Sequence, residues 1–135
     1  MPVVDDDELR EILSVDTIAV VGCSRTPGKA AHKIPRYMLD RGYDVIPVNP
    51  AADEILGRRA YDTLSAAPPG IDIVDVFRPS PEVAGIVNET LDREDAGVIW
   101  TQLGIRDDDA AARAEAAGRR VVQDRCLKVE HQRLM

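Results

Sequence analysis

Between Val20 and Lys33 the chain reads VVGCSRTPGKAAHK: an apolar run, a glycine, a polar turn, then Gly-Lys. Residues of these types bind anions, because the amides that open a helix, together with hydroxyls and cations, complement negative charge. The stretch nevertheless departs from two well-defined phosphate loops. A Walker A loop needs four residues between its glycines and a hydroxyl after its lysine to ligate magnesium. Here five residues separate Gly22 from Gly28, and Lys29 is followed by Ala30. A nicotinamide-type loop needs G-x-G-x-x-G for close approach to a pyrophosphate, and an acid about 20 residues on for the ribose. The bulky Arg25 and Pro27 lie between Gly22 and Gly28, and the second apolar run ends in Asn49-Pro50 without a carboxylate. What remains is a longer polar loop entering a helix, with Ser24 and Thr26 as hydroxyl donors and Arg25, Lys29 and Lys33 as cations.

Other residues invite catalytic readings that their surroundings weaken. Cys23 directly follows an apolar run near Arg25 and Lys29, an environment that lowers a thiol pKa. A small side chain chosen for a tight strand end explains it more simply. The stretch DRCLKVEH gathers Asp124, Cys126, Glu130 and His131. A helix puts Cys126 and Glu130 on one face and His131 on another, with no second ligand pair to close a metal site. A capping helix that buries Cys126 and pairs Glu130 with Arg125 or Arg133 is expected instead. The carboxylates lie in solvent-facing runs, so no desolvated acid and no general acid/base pair is named.

The elements that must position the loop follow from periodicity. TIAVVG at 17–22, DVIPV at 44–48, IDIVDVF at 71–77, GVIW at 97–100 and RVV at 120–122 read as short buried strands. Helical patterns separate them: Ile34 to Leu39 before Gly42, Val83 to Leu91, and DDDAAARAEAAG, with acids in its first turn and glycine past its end. Further helices are expected over roughly 6–13 and 127–134. Alternation with short loops predicts parallel strands joined by right-handed crossovers, a doubly wound α/β sheet of five strands between two helical layers. Pro47 inside the second strand predicts either a position whose donor is not needed or a shorter strand. Ligands of such sheets bind beyond the carboxyl ends of the strands, which points to GCSRTPGK, NPAA, FRPSP and TQLGI.

The 135 residues fit one domain over residues 1–135. No apolar run approaches the roughly 20 residues needed to cross a bilayer, and the acidic opening MPVVDDDELR is unlike a secretory signal. A cytoplasmic protein is expected, its two cysteines free thiols in a reducing compartment. The net charge of −7 argues against nucleic acid or an anionic membrane as partner. Only three of the 17 basic residues are lysines, and aspartates come in runs, a surface suited to a salt-rich cytoplasm. Two of those lysines flank the anion loop.

Five segments in this order and spacing, VVGCSRTPGKAAHKIPRYMLDRGYDVIPVNP, EILGRRAYDTL, VDVFRPSP, WTQLGI and VVQDRCLKVEHQRL, resemble the small CoA-binding proteins whose Rossmann-like domain is related to the N-terminal domain of the succinyl-CoA synthetase α subunit. The resemblance runs from about Thr17 to the end. It implies that Ser24, Arg25, Thr26, Gly28 and Lys29 hold the phosphates of coenzyme A or an acyl-CoA. It also implies that Asn49 and Pro50 border the adenosine, that Phe77, Arg78 and Pro79 line a groove with Arg78 a further phosphate contact, and that Trp100, Thr101 and Gln102 flank the pantetheine. The loop is poorer in glycine than the synthetase type, and Ala51 and Ala52 stand where a lysine follows the second-strand proline there. The synthetase's phosphorylated histidine belongs to a later domain, so its ligase chemistry does not carry over.

The expectation is therefore a stand-alone CoA-binding module, without catalysis of its own, open to self-association or a protein partner. Its rivals are an NAD(P)-dependent oxidoreductase, a redox sensor using Cys23 and Cys126, and an interaction protein with an empty vestigial pocket.

Overall fold

The computed structural model describes residues 2–135. Five parallel strands form the sheet: β1 (Thr17–Val21), β2 (Asp44–Val48), β5 (Ile73–Val76), β6 (Val98–Thr101) and β7 (Arg120–Val122), in the spatial order β2-β1-β5-β6-β7. The chain lays β2 on one side of β1 and then returns to place β5 on the other. The order of strands thus reverses between β1 and β5, and a crevice opens at their carboxyl ends.

Strand alternation divides the apolar residues between two faces. On one, Ile18, Val20, Ile73 and Trp100 pack with Leu9, Met38 and Leu127, from helices α1 (Asp6–Leu13), α2 (Ala30–Asp40) and α5 (Leu127–Leu134). On the other, Ala19, Val74 and Ile99 pack with Ile86 and Ala111, from α3 (Val83–Leu91) and α4 (Asp108–Ala116). All five strands and five helices expected from the sequence are present, with boundaries moved by two residues or fewer except at the start of α2, which begins at Ala30, four residues before the Ile34 that opens its apolar pattern. Glu130 pairs with both expected arginines, at 2.7 Å to Arg125 and 2.7 Å to Arg133. Cys126 is a correction: it stands before α5 at the N-cap and is only half-buried, because the helix begins at Leu127.

An antiparallel hairpin, β3 (Glu54–Ile55) and β4 (Arg58–Arg59), has no counterpart in the sequence reading. Its turn residues Leu56 and Gly57 both have positive φ, 57° and 72°, the geometry that closes a two-residue hairpin. The segment leaving it lies along β2. The Tyr61 N–H donates to the Pro47 carbonyl at 3.0 Å, and the Asn49 N–H to the Tyr61 carbonyl at 2.9 Å. Backbone polar groups of one strand residue face the same side, so Pro47 directs its missing donor outward from an edge strand, where β1 makes no demand on it. At the opposite edge the Val3 N–H donates to the Val121 carbonyl at 2.7 Å.

Candidate functional site

The loop from Gly22 to Lys29 leaves β1 under tight constraint. Gly22 has φ +90°, and a Cβ on it would come within 2.8 Å of Arg78 Cδ and 3.2 Å of the Phe77 backbone. Glycine is required there twice over, for conformation and for the close passage of the chain leaving β5. The next residues are clasped by their surroundings. The Asn49 side-chain amide donates to the Cys23 carbonyl at 2.9 Å, while its own carbonyl accepts from the Ala51 N–H at 2.8 Å. The Ser24 N–H donates to the Ala31 carbonyl at 3.0 Å, and buried His32 donates through Nδ1 to the Ser24 carbonyl at 2.8 Å. Ser24 Oγ accepts from the Thr26 N–H at 3.0 Å.

Pro35, inside α2, makes this clasp available. A residue with an N–H at 35 would donate to the carbonyl of residue 31. Proline has no donor, and the Ala31 carbonyl is satisfied by Ser24 of the loop instead. The helix thereby gives one internal bond to the loop that precedes it.

The start of α2 differs from the starts of α1 and α4. Those two are capped by Asp5 and Asp107 side chains and carry acids in their first turns. The N-cap of α2 is Lys29, without a side-chain cap bond, and its first turn has no acid. Arg25, Thr26, Gly28 and Lys29 are exposed around it, and Arg25, Lys29 and Lys33 form no ion pair among the described residues. The helix terminus, its free amides and these cations make a positive corner in an acidic molecule. A Cβ at Gly28 would meet nothing within 4 Å, so the fold makes no steric demand for glycine there.

Beside this corner lies the crevice at the strand-order reversal, about 420 Å³, with Gly22, Asn49, Pro50 and Arg78 among its walls. Val21, Val48, Leu64 and Ile86 supply apolar surface, and three carboxylates, Asp62, Glu82 and Glu89, stand at its sides. Arg78 is held by Glu82 through two parallel bonds, Nε to Oε1 at 3.1 Å and Nη2 to Oε2 at 2.8 Å. A larger concavity of about 690 Å³ occupies the opposite end of the sheet. The two arginines lining it are spent on structure: Arg93 bonds Asp95 and the carbonyls of Leu64, Ala67 and Pro68, and Arg119 bonds those of Thr90, Arg93, Asp95 and Ala96. The crevice is therefore the better ligand site.

The remaining expected contacts are distributed differently. Phe77 is half-buried and packs against the α1/α2/α5 face of the core. Trp100 is wholly buried, its indole N–H donating to the Arg125 carbonyl at 2.8 Å, so its ring is a core element rather than a groove wall. Thr101 is also buried, its hydroxyl donating to the Ile105 carbonyl. Gln102 is buried and donates through Nε2 to Asp75 Oδ1 at 2.6 Å. This leaves Ser24, Arg25, Thr26, Gly28, Lys29, Asn49, Pro50 and Arg78 gathered around the corner and the crevice.

Asp75 corrects the expectation that every acid faces solvent. It sits in the middle of β5 with no exposed surface, and its Oδ2 has no hydrogen-bond partner. Burial pushes its carboxyl up to about 8, although the Gln102 bond pulls the other way. The signal was present in IDIVDVF, where a central strand carries an aspartate on the same face as Ile73 and Phe77. Cys23 is fully buried as well, and burial, reinforced by the Asp75 charge, pushes its thiol up to about 12. Burial and a raised pKa are the opposite of the exposed, electropositive setting that activates a thiolate, and they agree with a small side chain chosen for a tight strand end. Asp62, Glu82 and Glu89 escaped the sequence reading because their place in the crevice depends on the hairpin and on the turn into α3.

A family model described as a CoA binding domain matches residues 16–132. The uncharacterized protein YneT of Bacillus subtilis is 42% identical over 125 residues, 92% of each chain. A solved structure from Thermus thermophilus is 41% identical with a TM-score of 0.92, covering 98% of this chain and 100% of that one. The dinucleotide-forming acetyl-coenzyme A synthetase 1 of Candidatus Korarchaeum cryptofilum is 30% identical with a TM-score of 0.69. The match covers 84% of this chain but only 27% of the synthetase.

Proposed function

The chain belongs to the CoA-binding domain family, and from that premise we propose that it binds coenzyme A or an acyl-CoA as a stand-alone module, without catalysis of its own. The observation that carries this reading is the clasped loop at the uncapped start of α2, with Arg25 and Lys29 exposed beside the crevice. In this reading the amides opening α2, the Ser24 and Thr26 hydroxyls and the two cations receive the phosphates. Asn49 and Pro50 border the adenosine at the end of β2. The Asn49 side chain has both of its polar ends on backbone, so it shapes the wall for a ligand and holds the loop at once. The pantetheine arm leaves along the strand ends past Phe77 and Pro79, while Trp100 and Gln102 act from below, by fixing the floor.

Burial of Cys23 and Asp75 supports binding rather than chemistry, since neither meets the crevice. The module would sense acyl-CoA or present CoA to a partner, either another protein or a second copy. The test is thermal stability with millimolar CoA, acetyl-CoA, NAD, NADP and ATP in parallel. CoA and acetyl-CoA should raise Tm. A rise with NAD or NADP alone would replace this reading with an oxidoreductase, and no rise with any of them would favour the interaction protein.

A further inference from the structure

We infer that Glu82 is a resident competitor for the ligand's phosphate, setting both the affinity and the anion selectivity of the crevice through its hold on Arg78. This rests on the CoA-binding reading and extends it to a residue outside the phosphate loop. Arg78 is the crevice's one cation among the described residues lining it, and its guanidinium fork is already filled by a carboxylate in the two-bond geometry that a phosphate would use. The pair is reachable: Arg78 and Glu82 side chains are 48% and 47% exposed. The Arg78 stem passes over Gly22, whose missing Cβ leaves room for it: a Cβ there would come within 2.8 Å of Cδ. The guanidinium and its carboxylate partner both line the crevice, so an incoming phosphate meets Arg78 where Glu82 already holds it.

Glu82 sits at the end of a short 3-10 turn, Ser80–Glu82, that leads into α3, four residues beyond Arg78. The Ser80 hydroxyl accepts from the Arg106 N–H at 2.9 Å, which anchors that turn to the neighbouring loop. The carboxylate is thus presented to Arg78 by anchored backbone. Two further carboxylates, Asp62 and Glu89, line the same crevice without bonding Arg78. An incoming monoanion gains little by replacing one carboxylate with another. A doubly charged phosphate gains Arg78 and, on displacing Glu82, returns that carboxylate to water. The crevice would then favour phosphate dianions over carboxylates and neutral groups.

The experiment is calorimetric titration at fixed ionic strength of CoA, 3′-dephospho-CoA and inorganic pyrophosphate into the wild type, Glu82→Gln, Glu89→Gln, Arg78→Gln and the Arg78→Gln/Glu82→Gln double variant, each checked for fold by circular dichroism. Glu82→Gln should tighten CoA about twofold to fivefold, the range of an exposed ion pair. The gain should vanish in the Arg78→Gln background and be smaller in Glu89→Gln, which removes the same charge without touching Arg78. If the wild type binds CoA and Glu82→Gln binds it no more tightly, the inference fails and the CoA reading stands. Equal gains in Glu82→Gln and Glu89→Gln also overturn it, because general repulsion would then suffice. Tighter pyrophosphate binding by Glu82→Gln, with no CoA binding by any variant, supports the competitor and overturns the CoA reading. Absence of binding by all three probes overturns both.

Discussion

Gly22 and Asp75 illustrate how single residues are fixed by their neighbours. Gly22→Ala places a Cβ in a left-handed backbone and against the chain leaving β5. It should cost about 1–3 kcal/mol from strain alone, read as a lowered urea midpoint, whereas Gly28→Ala should leave stability within about 0.5 kcal/mol. Asp75 yields a pH signature. The unfolded carboxyl releases its proton near 4, while the folded one keeps it up to about 8. Between those values the unfolded state binds fewer protons, so stability falls with rising pH and then levels off above about 8. Asp75→Asn keeps an acceptor for Gln102 and removes the ionisation. Its Tm advantage over the wild type should be smallest near pH 4 and largest near pH 8, as scanning calorimetry across that range would show. Trp100→Ala should cost about 3–5 kcal/mol as a core truncation, far more than its effect on CoA affinity. Arg25→Ala and Lys29→Ala should each weaken CoA by about 1.5–3 kcal/mol with little change in Tm, and unchanged affinity in both would move the phosphates elsewhere.

At the level of elements, α2 and its loop behave as one unit because Pro35 leaves the Ala31 carbonyl to Ser24. Pro35→Ala restores a donor inside the helix that competes for that carbonyl. The Ser24 amide should exchange with deuterium roughly tenfold faster, while amides of β1 remain protected. Unchanged Ser24 protection would mean that His32 alone suffices to hold the loop. The strands and helices were legible in the sequence because each carries its own period: TIAVV and IVDV bury both faces, and Leu9, Ile12 and Leu13 share one side of α1. The anion corner was legible for the same reason, since its hydroxyls and cations are consecutive. The crevice was legible only in part. Asn49, Pro50 and Arg78 follow strands and could be placed by rule, whereas Asp62 reaches the site through a two-residue-stranded hairpin too short to have a period. Trp100 lies inside β6 and Gln102 just beyond it, and both are buried. Helix α5 covers that end of the sheet, where the Leu127 N–H donates to Gln102 Oε1, a packing that no local pattern records.

Over the whole molecule, charge is sorted by location. Arg93 and Arg119 are consumed by backbone carbonyls, and Arg10, Arg58, Arg106, Arg120 and Arg133 by surface carboxylates. The cations beside the start of α2 keep no such partners. Raising the salt from about 0.1 M to about 1 M shortens the screening length from about 10 Å to about 3 Å. It should therefore raise Tm, by relieving self-repulsion in a chain of net charge −7, and weaken CoA at the same time. Opposite signs of these two responses in one titration would locate the ligand's partners among the exposed cations; parallel responses would not. The sheet's two borders carry a separate consequence. β2 is lined by Tyr61 and interrupted by Pro47, and β7 is covered through Val3, so neither side offers an open ladder to another chain's strand. Aggregation by strand addition is thereby blocked at both ends, and removing residues 2–4 would uncover one template for it.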